Sequence, residues 1–158
     1  MGLLSLILHP HTILRVKTGN LTVKEVLSPE IQTLIRDMME TMISAKGVGL
    51  AAPQVGKPIS LCLITHDGTD PFVLINPTII KKSVWQEWGE EGCLSIPGVW
   101  GDVKRNSSVT VEYIDVKGEQ HILEAKGFYA RVCQHEIDHL DGILFIDKAK
   151  NIRETLSQ

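Results

Sequence analysis

The sequence predicts an α+β domain, and three observations carry that expectation. An amphipathic helical stretch comes early, several short strand-like runs follow, and a second helix closes the pattern without any βαβ repetition. The length of 158 residues fits one domain, residues 1–158, with enough chain to bury a core unaided.

Residues 28–46 read as the first helix. Ser28 suits the N-cap and Pro29 the first helical position. Ile31, Leu34, Ile35, Met38 and Met42 recur at helical spacing, and Gly47 is placed to end the element. Ile59–Thr65 and Phe72–Asn76 are short apolar runs between turn formers. Val109–Ile114 alternates apolar and polar residues, Lys117-Gly118 suits a turn, and His121–Glu124 would return as the hairpin partner. The last helix is expected from about Gly127 to Leu140, with Gly142 as its stop. The tail after Asp147 reads as short and charged.

Composition narrows the function classes. A net charge of -3 offers no basic excess for a nucleic-acid partner. The run from Leu3 to Leu8 lacks the basic start and cleavage site of a signal peptide, and no apolar run is long enough to span a membrane. Three cysteines without regular spacing (Cys62, Cys93 and Cys133) suit reduced thiols in a cytoplasmic protein rather than a disulfide framework.

The chemistry concentrates in the last helix. His135-Glu136-Ile137-Asp138-His139 sets two imidazoles four residues apart, one above the other, where they can share a metal ion. Glu136 lies about 100° around from His135, within reach of a water at that ion. On a helical projection Phe128, Val132, His135 and His139 share one face, while Tyr129, Ala130, Cys133, Ile137 and Leu140 fall on a packing face. Arg131, Gln134 and Asp138 form a third, polar face. The alternative is a pair of buried histidines with ordinary hydrogen bonds.

A catalytic site of this kind uses three protein ligands and leaves a position for water. No histidine follows His139, so the third ligand must come from upstream. Cys62 sits in an apolar run and Cys133 on the packing face, which leaves Cys93 in Glu90-Glu91-Gly92-Cys93-Leu94-Ser95. Gly92 is read as allowing a sharp turn before the thiol; a buried free thiol is the competing reading of Cys93. Gly47–Gln54 is too small and apolar for a solvated loop and lacks the spacing of a nucleotide-binding fingerprint. Small residues there permit close backbone approach of a peptide, and the Gln54 amide can donate to an oxyanion. A glycine-rich turn with a surface glutamine fits the spacing equally well. Phe128, Val132 and Val48 are candidates for an apolar pocket accepting a methionine side chain, or they only pack the helix.

Three segments, Gly47–Gln54, Glu91–Ser95 and Gln134–His139, resemble in order the G-x-G-L-A-A-x-Q, E-G-C-L-S and Q-H-E-x-D-H motifs of the peptide deformylases. The resemblance covers nearly the whole chain. It implies antiparallel sheets packed around a central C-terminal metal-binding helix, and hydrolysis of the formyl group from the N-terminal formylmethionine of new polypeptides. It further implies Cys93, His135 and His139 as metal ligands and Glu136 as general base and then acid. Gln54 and the backbone N–H of Leu94 would stabilise the oxyanion, and Gly49 would pair with the substrate backbone. The family's physiological ion is Fe²⁺, replaceable by Zn²⁺, Ni²⁺ or Co²⁺. Many bacterial members carry a longer C-terminal helix linked to ribosome docking. This chain ends about a dozen residues after Asp147, which puts a ribosome contact through that helix in doubt. Gly98-Val99-Trp100 stands where several relatives place polar residues, so preference beyond the first residue is expected to differ. Three other readings compete: a different metal-dependent amidase or peptidase, a silent binding module, and Cys93 as a covalent nucleophile with His135 as its base.

Overall fold

In the computed structural model the described residues are 2–66 and 70–155. Two sheets and two long helices form the domain. α1 is one turn at Val23–Val26, capped by Thr22 and Glu25, each bonding the other's backbone N–H. α2 spans Pro29–Ser44, and the Ser28 hydroxyl accepts from the Ile31 N–H as its sequence position implies. Lys46, rather than Gly47, takes the left-handed conformation after α2, at φ 56°. Gly47 is small for another reason. A Cβ there would stand 2.8 Å from Cδ1 of Leu94.

The larger sheet runs in the order β1 (Gly49–Ala51), β2 (Leu61–Ile64), β3 (Phe72–Lys82), β6 (Ser108–Ile114), β7 (Gln120–Lys126), with each pair antiparallel. β2 explains its own sequence. Leu61 and Leu63 face α2, packing with Met38, Met42 and Leu50, while Cys62 and Ile64 face the last helix. A strand covered on both sides must be apolar at every position. The β6–β7 turn is as expected, with Gly118 at φ 81° and Asp115 accepting the N–H groups of Lys117 and Glu119.

α3 spans Gly127–Leu140 and follows β7 directly, with Gly127 at φ 62° bridging the change of direction. Ala130, Cys133, Ile137 and Leu140 pack against Ala51, Cys62, Ile64, Val109 and Val111. That is the packing face read from the helical projection.

The second sheet holds β4 (Gln86–Cys93), β5 (Ile96–Asn106) and β8 (Lys150–Glu154), in the order β4-β5-β8. None of these strands is apparent in the sequence. The tail expected to be only charged contributes β8, and Cys93 ends a strand. Gly92 lies within β4 and is not in the left-handed region, so it makes no sharp turn. A Cβ on Gly92 would stand 2.6 Å from the Trp100 ring, so the glycine makes room for that indole. The chain turns later, at Leu94-Ser95, between β4 and β5. Leu14, Ile96, Val103, Leu144 and Phe145 fill the space beneath this sheet.

Candidate metal centre and active site

Three elements converge on one cavity of about 450 Å³. α3 supplies His135, Glu136 and His139, the end of β4 supplies Cys93, and the single 3₁₀ turn after β1 (Ala52–Val55) supplies Gln54. The helical spacing stacks the two imidazoles, whose centroids lie 5.0 Å apart. One ligand atom from each of Cys93, His135 and His139 lies within 4.8 Å of the others, and Cys93 Sγ is 3.3 Å from His139 Nε2. A thiol and two imidazoles at that spacing suit a borderline-soft divalent ion such as Fe²⁺ or Zn²⁺.

Charge around the three donors favours a cation. Glu91 Oε1 lies 2.8 Å from His135 Nδ1. A carboxylate only accepts, so the Nδ1–H donates and Nε2 keeps its lone pair for an ion. Burial would depress the His135 imidazole, but its bonds to Cys93 and Glu91 and the charges of Glu136 and Cys93 raise it instead, so an ion at Nε2 would displace a proton held there. His139 is driven the other way: burial, with the charges of His135 and Arg105, pushes its pKa well down, so it stays neutral and able to ligate.

Glu91 is itself held by two arginines. Arg105 donates to both its oxygens at 2.9 Å, and Arg131 donates to Oε2 at 2.7 Å. Arg105 also bonds Asp138 at 2.5 Å. The side of α3 that reads as polar therefore faces protein, not solvent. Arg131 is only 9% exposed, and Gln134 bonds the backbone of Asn106 in both directions. Sequence reasoning missed this network. The Glu91-Gly92-Cys93 segment held one signal, since a carboxylate beside a buried ligand needs partners.

Glu136 is buried beside the ligands, and its Oε2 has no hydrogen-bond partner among the described residues. Burial, together with the charge of Glu91, raises its pKa to about 7, against the pull of His135 and Arg105. Gly49 makes room for this carboxyl: a Cβ on Gly49 would stand 2.4 Å from Glu136 Oε1. Gln54 is also buried. Its Oε1 accepts from the Ala51 N–H at 2.9 Å, which turns the amide nitrogen toward Cys93 Sγ at 3.4 Å and Ser95 Oγ at 3.1 Å. It is not the surface glutamine that the spacing equally allowed.

Val48, Gly49, Gln54, Cys93, Leu94, Phe128, Val132, His135 and Glu136 all line the cavity. Val48 and Phe128 are exposed at its mouth, whereas Val132 is buried deeper and also packs in the core under α3. Cys62 and Cys133 are buried in that core, away from the ligand set, as the sequence suggested. A second acidic group, Asp115, Glu119 and His121, lies at the β6–β7 turn. There Asp115 is already committed to the turn's backbone and to His121, 2.6 Å away.

An α+β fold that gathers a thiol, two helix-borne imidazoles and a buried carboxyl around one cavity defines a metal-dependent hydrolase. Comparisons with known proteins narrow the class. The chain belongs to the polypeptide deformylase family, whose sequence profile matches residues 3–155; its members remove the formyl group from nascent polypeptides. A peptide deformylase of Desulforudis audaxviator is 41% identical over 96% of this chain and 97% of its own. The crystal structure of a Synechococcus elongatus peptide deformylase in complex with actinonin superposes with a TM-score of 0.88 at 43% identity, over 94% of this chain and 79% of that one. A class I type b enzyme of Acinetobacter baumannii, crystallised with Met-Ala-Ser, gives 0.88 at 34% identity over 92% and 98%. Among the described residues no helix is long and apolar enough to cross a membrane.

Proposed function

We propose that residues 1–158 act as one catalytic domain that deformylates N-formylmethionyl peptides in the cytoplasm, with Cys93, His135 and His139 holding one divalent ion, Fe²⁺ in the cell. The observation that carries this reading is the meeting of those three donor atoms within 4.8 Å beside the unpartnered Glu136 carboxyl oxygen. The bound ion would act as a Lewis acid on the formyl oxygen and lower the pKa of water.

The remaining steps belong to the chain. Glu136, whose pKa burial raises to about 7, takes a proton from water as the water oxygen attacks the formyl carbon. The Gln54 amide and the Leu94 backbone N–H donate to the oxygen on which negative charge develops. A neutral amide suits that place because a carboxylate would repel the charge. Glu136 then passes its proton to the leaving nitrogen, the C–N bond breaks, and formate and the free methionyl amine separate. Gly49, on the outer strand of its sheet, offers backbone to an extended peptide. Val48, Phe128 and Val132 receive the methionine side chain.

The test compares formate release from formyl-Met-Ala-Ser with acetate release from acetyl-Met-Ala-Ser. Strong preference for the formyl peptide supports the reading. Equal rates favour a general amidase. Loss of turnover with a chelator and its return with Fe²⁺ or Co²⁺ separates metal catalysis from a Cys93 nucleophile.

A further inference from the structure

We infer that Ser95 is a positioning residue that fixes the Gln54 amide, holding its N–H₂ end toward the Cys93 sulfur and the cavity. The inference rests on the reading of Gln54 as an oxyanion donor. Three contacts define it. The Ala51 N–H donates to Gln54 Oε1 at 2.9 Å, Gln54 Nε2 donates to Ser95 Oγ at 3.1 Å, and the same nitrogen lies 3.4 Å from Cys93 Sγ. Ser95 is completely buried and Gln54 is 1% exposed, so neither end of the amide competes with water. An amide has two near-isosteric ends, and only its partners decide which faces the reacting oxygen. Ala51 fixes the oxygen end. Ser95 takes one hydrogen of the nitrogen end, so the other rests on Cys93 Sγ at the cavity edge, where a developing oxyanion would compete for it.

The backbone holds the two residues at this spacing. The N-terminal segment bridges them: the Ile7 N–H donates to the Gln54 carbonyl at 2.7 Å and the His9 N–H to the Ser95 carbonyl at 2.8 Å. The turn that carries Ser95 and the 3₁₀ turn that carries Gln54 are thus registered against one strip of chain. Preorganised donors stabilise developing charge because they need not reorient as the reaction proceeds. A donor free to rotate loses that advantage. The N–H beside Cys93 has a second effect: it draws electron density from the sulfur.

The experiment is a double-mutant cycle in the metal-loaded enzyme, with formyl-Met-Ala-Ser as substrate. Gln54→Ala is expected to lower kcat by about 10²–10³. Ser95→Ala is expected to lower kcat by about tenfold, the worth of one neutral hydrogen bond, with KM unchanged. Adding Ser95→Ala to Gln54→Ala is expected to cost nothing further, because the residue it positions is gone. Ser95→Cys, similar in size but a poor acceptor, replaces the alanine variant should that one not fold. The second readout is the sulfur-to-cobalt charge-transfer band of the Co²⁺ form. It is expected at longer wavelength in both single variants, since the sulfur loses its N–H partner. Full loss in Gln54→Ala with an additive Ser95 effect, or with an unmoved band in Ser95→Ala, overturns the role of Ser95 alone. Undiminished kcat in Gln54→Ala overturns the reading of Gln54 and this inference with it.

Discussion

Glu91 accepts the Nδ1–H of His135 at 2.8 Å while its two oxygens receive Arg105 and Arg131. One carboxylate therefore orients the His135 imidazole and, with Asp138, balances the charge of two buried guanidinium groups. Glu91→Gln keeps the shape and removes the charge. It is expected to weaken metal affinity by about 10–100-fold, the usual cost of losing a partner behind a ligating histidine. It should also destabilise the fold by about 3–5 kcal/mol, because buried Arg131 loses its carboxylate and Arg105 keeps only Asp138. Metal titration followed by chemical denaturation measures both. Unchanged affinity would separate Glu91 from the metal centre.

The same group sets a pH dependence. Burial opposes ionisation of Glu91, but the bonds and charges of His135 and Arg105 hold its carboxyl well below the usual 4.5. Below pH 4.5 the unfolded chain takes up this proton while the folded chain does not, so protons favour unfolding. Glu91's stabilisation is complete above that value and shrinks as pH falls beneath it, by at most about 1.4 kcal/mol per pH unit. Denaturation of the metal-free protein between pH 7 and 3.5 should show this decline, and Glu91→Gln should flatten it. Equal slopes in the two proteins would contradict the assignment.

Gly49→Ala tests the space around the base. The added methyl would stand 2.4 Å from Glu136 Oε1 and 2.8 Å from its Cγ. The carboxyl must move, and a displacement on the order of 1 Å can cost about 10²-fold in rate. The expected result is a kcat reduced to about that degree with metal content intact, measured by formate release beside elemental analysis. Normal kcat would mean that Glu136 has room to spare.

Phe128 stands 63% exposed at the cavity mouth, so its removal should spare the fold. Phe128→Ala is expected to raise KM for formyl-Met peptides by about tenfold, in line with a modest loss of apolar contact. Thermal stability should stay within about 0.5 kcal/mol of the parent. An unchanged KM would remove Phe128 from the methionine pocket.

What the sequence showed and what it hid follow from one physical distinction. α3 was legible to its ends because its apolar residues recur at the 3.6-residue period, although the helix is buried on nearly every side. β2 was legible because it is covered on both sides. β4 was hidden because Gly89 and Gly92 are poor strand formers. They are present because neighbours demand the space: a Cβ on Gly89 would meet the Arg131 guanidinium at 2.7 Å. The polar side of α3 misled for the same reason. Arg131 and Asp138 look solvated until β4 and β5 bring Glu91 and Arg105 against them. The candidate ligands follow from motif spacing, whereas Glu91, which orients His135, and Ser95, which bonds Gln54, show their partners only in three dimensions.

X-ray absorption on the Zn²⁺-loaded protein tests the central geometry most directly. The account expects one sulfur near 2.3 Å and two imidazole nitrogens at about 2.0–2.1 Å, with one light scatterer from solvent. It expects the sulfur shell to vanish in Cys93→Ser. A spectrum with no sulfur scatterer in the parent protein, or one that Cys93→Ser leaves unaltered, would contradict it.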